Sequence, residues 1–307
     1  MGDPVSVEFL TPAPEGLKAD VLLTTSKGKR GTSMMVISDD IAPIIQFRGR
    51  VTKDKKPFNR NVANKYGAMT LAMVFHDYLK DNGIKIKGTY ADIDRHGLVR
   101  NGRFISGATA EQQDRLTVLG STWSPTLERI ARETNHRSDN LYAESLFRRI
   151  GRLSGRDSYA NARVQEYKIL GSLGLDYKNR VRINDGSGLS NANQISPEFY
   201  TDFLAAMRKS PSFDSWLASL PHPGSNGTMK PLMTTRSEEF RSRIRLKSGA
   251  ISCVRCYSGY ILPAKPDGQW IYFSIMINNS AASRSHLTDT ISGLIETITD
   301  EFSPEAI

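Results

Sequence analysis

The 307-residue sequence contains only two cysteines, too few for a disulfide framework. No window approaches the roughly 20 consecutive apolar residues of a membrane span, so no transmembrane segment is expected. The opening MGDPVSVEFLTPAPEG has no basic segment leading into an apolar run, so this chain is not expected to carry its own signal peptide. The net charge of +9 favours acidic partners, but the lysines and arginines are scattered. No helix-turn-helix, zinc-finger or aromatic-basic module accompanies them, so no nucleic-acid partner is expected. Cys253 and Cys256 form C-x-x-C in AISCVRCYSGYI, a strand-like segment whose residues three apart face opposite sides. That arrangement argues for two packed thiols and against a disulfide or a shared metal.

What remains is an ordinary globular composition, 39% hydrophobic and 24% charged, with length for one large domain or one domain plus a smaller piece. VSVEFL, ADVLLT, MMVIS and IIQFRGRV read as β-strands joined by TPAPEG, SKGKRG and SDD. From Asn61 the period changes: Leu71, Phe75, Tyr78 and Leu79 predict one apolar helical face, and Asn82-Gly83 a helix stop, followed by a short strand in GIKIKG. Ser124-Pro125 predicts the start of a second helix running to about Asn135. Tyr142, Leu146, Ile150 and Leu153 predict the buried face of the next, with further helices over 160–173 and 196–207. RIRLKSGA, ISCVRCYSGYIL and QWIYFSIMIN read as strands, the last two joined across PAKPDG as a hairpin, and Leu287, Ile291, Leu294, Ile295 and Ile298 as one stripe of a closing helix. An antiparallel sheet covered by a C-terminal helix, with a helical cluster before it, is α+β.

Three short segments carry candidate chemistry. Ser138-Asp139-Asn140 lies between two helices, where these residue types serve equally as caps or as a proton relay and a substrate-amide anchor. Lys247-Ser248-Gly249 ends a strand, either as an exposed lysine before a turn or as a carboxylate-binding edge beside an oxyanion site. Asp185-Gly186-Ser187-Gly188-Leu189-Ser190 suits a tight turn.

In the order SDNLYAE, DGSGLS with SPEF, LPHPGSNGTM and KSG, these segments resemble the low-molecular-mass penicillin-binding proteins of the D-alanyl-D-alanine carboxypeptidase and endopeptidase type, peptidase family S13. The resemblance runs from about Gly49 to the end, with Ser248 where threonine is common. It implies a penicillin-binding, β-lactamase-like transpeptidase fold and serine D,D-peptidase chemistry through an acyl-enzyme, without metal or organic cofactor. It further implies peptidoglycan D-Ala-D-Ala peptides as partners, β-lactams as inhibitors, and a periplasmic or extracytoplasmic place. By matching position, Ser138 shuttles a proton to the leaving amine and Asn140 binds the substrate backbone. Lys247 and Ser248 hold the terminal carboxylate, Gly249 allows close approach, and the Ala250 N–H is an oxyanion-hole donor. Asp139 is structural, and Asp185, Gly186, Ser187 and Gly188 form a supporting loop.

The family's nucleophile is the serine of a helical S-x-x-K, and only Ser26 has a lysine three residues on, Lys29. It lies in TTSKGKRGTS, whose glycines disfavour a helix, so Ser26 is expected in a basic turn and the nucleophile is unassigned. The chain is therefore expected to be the C-terminal portion of a family member, incomplete at the N-terminus. Residues 1–50 would end a domain inserted in the family's catalytic domain, and 51–307 would be the C-terminal part of that catalytic domain. Such a chain is expected to expose apolar surface and to self-associate or take up an upstream fragment. The alternative is a non-catalytic, peptidoglycan-peptide-binding pseudoenzyme on the same fold. A class A β-lactamase would share the motif set, but DGSGLS and SDNLYAE argue against it.

Overall fold

The computed structural model describes residues 2–9, 17–26, 31–38, 44–53, 56–60, 62–64, 67–90, 121–155 and 158–302. The chain divides into two compact units, Met1–Ser121 and Thr122–Ile307. Among the described residues no helix is long and apolar enough to cross a membrane.

In the first unit β1 (Lys18–Ser26), β2 (Ser33–Ser38) and β3 (Ile44–Thr52) form a sheet ordered β1-β3-β2. β1 runs parallel to β3 and β2 antiparallel to it. Alternation turns Leu23, Ile45, Phe47 and Val51 into a small core and leaves Leu22 outside. Gly49 has φ +124°, and a Cβ there would lie 2.2 Å from the Ser33 carbonyl oxygen.

Two expected strands are not formed. Residues 5–9 pair with nothing as a strand; Pro4 makes one bridge to Thr24, and the Val5 N–H donates to the Leu23 carbonyl at 3.3 Å. GIKIKG is irregular. Leu10 and the turn segments 11–16, 27–30 and 39–40 lie outside the described residues. α1 (Gly67–Asp81) stops where Asn82-Gly83 predicts, with Gly83 at φ +81° and the Ile84 N–H donating to the Leu79 carbonyl at 3.0 Å. Its expected buried face is open: Leu71, Phe75 and Tyr78 are 71%, 55% and 62% exposed. Periodicity specifies an apolar face without specifying what covers it.

The second unit is α+β. Helices α2 (Leu127–Arg137), α3 (Asn140–Gly151) and α4 (Tyr159–Ser172) lead to the short pair β4 (Val181–Arg182) and β5 (Gln194–Ile195). Then come α5 (Pro197–Arg208), α6 (Phe213–Ser219) and α7 (Glu238–Ser242), the strands β6 (Ile244–Ile251), β7 (Val254–Ile261) and β8 (Ile271–Ile277), and α8 (Arg284–Phe302). The cap of α2 is Thr126, not Ser124: its Oγ1 accepts the Arg129 N–H at 3.3 Å, leaving Pro125 outside the helix. The buried face of α3 centres on Phe147 and Gly151; Tyr142 and Leu153 of the expected face are exposed.

β6, β7 and β8 form an antiparallel sheet in that order, so each side chain's face follows from register. Ile244, Leu246, Tyr257, Ile261 and Phe273 share one face and meet Ile291 and Ile295 of α8 in the main core. Lys247, Cys256, Ser258 and Tyr260 lie on the other, where Tyr260 packs with Leu204 and Leu220 of the helical side. The turn at Ser252-Cys253 splits the run expected as one strand. Cys253 sits in it at φ +60° and is exposed, so only Cys256 is a packed thiol; both are free.

On α4, one Glu166 carboxylate oxygen is buried without a hydrogen-bond partner among the described residues, and burial pushes its carboxyl up to about 7. Between its ordinary value and that one, the folded chain keeps a proton that the unfolded chain releases, so this group removes stability as pH rises through that window. Glu166→Gln is expected to match the parent at pH 5 and to be more stable at pH 8 by about 1–2 kcal/mol in denaturant melts.

Candidate active site

The S-D-N triplet is the turn between α2 and α3. Ser138 caps α2 in the left-handed region, φ 53° and ψ 50°, and the next N–H, of Asp139, closes the helix on the Thr134 carbonyl at 3.1 Å. Asp139 then caps α3, its Oδ1 accepting the Tyr142 N–H at 2.9 Å. Asn140 is the first residue of α3. The capping reading therefore applies to Asp139, and among the described residues the side chains on either side of it make no hydrogen bond to the backbone.

Lys247 closes the other side. Its Nζ donates to Ser138 Oγ at 2.9 Å across 109 residues of sequence, and to the Ser248 carbonyl at 2.6 Å. The lysine is half-buried, and burial pushes it down to about 8. Ser138 Oγ thus accepts from a cation and keeps its own O–H to donate, the arrangement a proton relay needs.

Ser248 and Ala250 sit on the α8-side face, opposite Lys247, yet they border the same site through their backbones. Leu246 donates its N–H away from β7, to the Pro221 carbonyl at 3.0 Å. In an antiparallel strand the phase repeats every second residue, so the Ser248 and Ala250 backbone groups point to that same outer edge. Gly249 and Ala250 are exposed. The edge therefore offers N–H donors beside the Lys247 ammonium, an anion-binding combination.

The Asp185–Ser190 loop folds around a carboxylate. Asp185 accepts the Gly188 N–H at 2.8 Å, the Ser190 N–H at 2.7 Å and the Asn193 side-chain amide at 2.8 Å. A Cβ at Gly186 would lie 2.5 Å from Phe147 Cβ and 2.6 Å from the Ala143 carbonyl, so glycine is what lets the loop lie on α3. Sequence reasoning missed Glu144, which accepts the N–H groups of Gly186 at 3.3 Å and Ser187 at 3.1 Å. It stands one turn after Asn140, and its place at the end of SDNLYAE was the available signal.

Ser26 is the last residue of β1, paired with Thr52, and so lies in a strand rather than the expected turn. Lys29 lies outside the described residues. Ser26 itself is in strand conformation, whereas the first residue of a helical Ser-x-x-Lys would be helical. Among the described residues no group of three or more His, Cys, Asp or Glu could hold a metal ion.

The family model for the D-Ala-D-Ala carboxypeptidase 3 (S13) family matches residues 2–298, an earlier start than the expected Gly49. The chain is 28% identical over 290 residues to a D-alanyl-D-alanine carboxypeptidase of Actinomadura sp. (strain R39), covering 88% of this chain and 50% of that protein. It is 30% identical over 186 residues to penicillin-sensitive carboxypeptidase A of Dictyostelium discoideum, covering 57% of this chain and 34% of that one. The chain thus spans half or less of these curated relatives. Among solved structures, penicillin binding protein 4 (dacB) from Haemophilus influenzae in complex with a β-lactam is similar at TM-score 0.73 and 20% identity, over 97% of this chain and 66% of that one. The fold is accordingly that of the penicillin-binding proteins, as expected.

Asp139→Ala is expected to lower stability by about 1 kcal/mol in urea melts through loss of the α3 cap, and Asp139→Ser to retain most of it.

Proposed function

Because this chain belongs to the D-Ala-D-Ala carboxypeptidase 3 (S13) family, we propose that the cleft between the Ser138–Asn140 turn and the β6 edge binds the D-alanyl-D-alanine end of peptidoglycan stem peptides for serine-type acyl transfer. The observation that carries this reading is the 2.9 Å contact from Lys247 Nζ to Ser138 Oγ. The terminal carboxylate sits at the Lys247 ammonium and the outward backbone of Ser248, with Gly249 permitting close approach. Asn140 takes the peptide backbone, and the Ala250 N–H faces the carbonyl oxygen that becomes the oxyanion. Ser138, held by the ammonium, passes a proton to the leaving amine. Asp185, Gly186, Ser187 and Gly188 form the supporting wall. β-Lactams, as mimics of the D-alanyl-D-alanine end, address the same cleft, and a peptidoglycan substrate puts the reaction in the periplasm or outside the cytoplasm.

Among the described residues no helix carries a Ser-x-x-Lys, and the single such spacing in the sequence begins at Ser26 on strand β1. This favours a second reading for the isolated chain: it binds D-Ala-D-Ala peptides reversibly and needs another segment or subunit to acylate. Leu141, just after the S-D-N turn on α3, is 72% exposed, which supports an associating surface there. In domain terms, 1–50 is assigned to the end of an inserted domain and 51–307 to the C-terminal part of the catalytic domain.

A fluorescent penicillin is expected to leave no covalent label on the chain or on its Ser26→Ala variant; label on the chain that disappears in the variant would make Ser26 the nucleophile. A peptide ending in D-Ala-D-Ala is expected to bind reversibly. Lys247→Met is expected to weaken that binding roughly 10- to 100-fold by calorimetry, the scale of a charged hydrogen bond of about 1.5–3 kcal/mol. Binding should also fall as pH rises through about 8, where the lysine loses its charge.

A further inference from the structure

The segment LPHPGSNGTM has no part in the chemistry above, yet it touches both walls of the cleft. At one end the Leu246 N–H, next to Lys247, donates to the Pro221 carbonyl at 3.0 Å. At the other, the Thr228 N–H donates at 3.0 Å to the carbonyl of His136, two residues before Ser138. Between these anchors the loop is braced on itself: the Gly224 N–H donates to the Met229 carbonyl at 2.9 Å, and Ser225 Oγ to the His222 carbonyl at 2.6 Å. Met229 is buried in the core under α8, so the strap is rooted in the sheet's packed face.

Gly227 marks how tightly the loop is pressed on α2. Its φ is +96°, and a Cβ there would lie 2.1 Å from the His136 carbonyl oxygen, a backbone atom that cannot swing aside. The Ser138–Lys247 contact cannot set its own spacing. A hydrogen bond to a charged group contributes little more than the rotamer entropy that immobilising a lysine side chain costs. The surplus is too small to hold two elements in register across solvent. Something else must fix both backbones.

We propose that Pro221–Met229 is a strap that sets the spacing between Ser138 and Lys247, with Gly227 and Thr228 as positioning residues. The proposal rests on reading that pair as the substrate site. The α2 end is held through His136 and the β6 end through Leu246, so displacing either anchor opens the pair and lets water reach the lysine.

The test compares Gly227→Ala with Gly174→Ala. Gly174 also has positive φ, +74°, but nothing lies within 4 Å of its missing Cβ, so it carries the same kind of backbone strain without the contact. The readout is the titration of Lys247, followed by NMR on chain carrying 13C-labelled lysine, with the resonance assigned by its loss in Lys247→Met. Gly227→Ala is expected to move that titration upward from about 8 by about one pH unit or more, and Gly174→Ala to leave it in place. A folded Gly227→Ala whose lysine titrates as in the parent would overturn the strap. Should Gly227→Ala not fold, amide exchange in the unmodified chain decides: Thr228 and Leu246 amides as slow as the β6–β7 ladder support it, and open-loop rates reject it. No ligand is present in either measurement. Failure of the strap therefore leaves peptide binding and its loss in Lys247→Met as a separate result.

Discussion

An ammonium group leaves water only where other oxygens replace the ones it gives up, and that requirement organises the second unit. Lys247 is half-buried beside two acceptors, Ser138 Oγ and the Ser248 carbonyl. One belongs to a helix end and the other to the lysine's own strand, so satisfying the charge means bringing a helix turn against a sheet edge. Burial also lowers the lysine's proton affinity, and an anion bound beside the ammonium raises it again. The opposite face of the sheet is packed with Leu246, Tyr257, Phe273 and the α8 isoleucines.

Carboxylates make the neighbouring loop rigid despite its glycines. Asp185 gathers donors from within the loop, and Glu144 fastens it to α3 from outside. Gly186 is there for contact with Phe147 and Ala143, and Gly188, at φ +77°, for backbone direction. A glycine-rich stretch can thus be among the more constrained parts of a molecule when each donor has an ionised acceptor.

Much of the second unit was legible because its signals are local. The helix expected over 196–207 is α5, PAKPDG announced the β7–β8 hairpin, and the stripe through Ile291 and Ile295 announced α8. S-D-N and K-S-G were found as motifs, but their meeting was not readable: nothing local to Ser138 says that its hydroxyl faces a lysine 109 residues on. The exposed faces of α1 and of Tyr142 on α3 were misjudged for a related reason, since an apolar stripe says that a surface can be covered and not whether it is. VSVEFL alternates like a strand, but ladder pairing depends on a neighbour, and among the described residues the one bridge here is at Pro4, just before the segment. Glu144 escaped, and LPHPGSNGTM was found as a motif without its role, because hydrogen bonds to the backbone leave almost no trace in residue type.

The pleat of β6 sorts its residues strictly by parity. Leu246 belongs to the core and Lys247 to the cleft, with Gly259 and Ser258 of β7 respectively opposite them across the ladder. A slip of a single residue between β6 and β7 would carry the ammonium into the isoleucines of α8 and swing a leucine out beneath Ser138. Errors in strand pairing are therefore not graded into partly working molecules: the misregistered chain loses its core and its cleft together. Any cellular check on hydrophobic exposure would, for this sheet, inspect the chemistry as well.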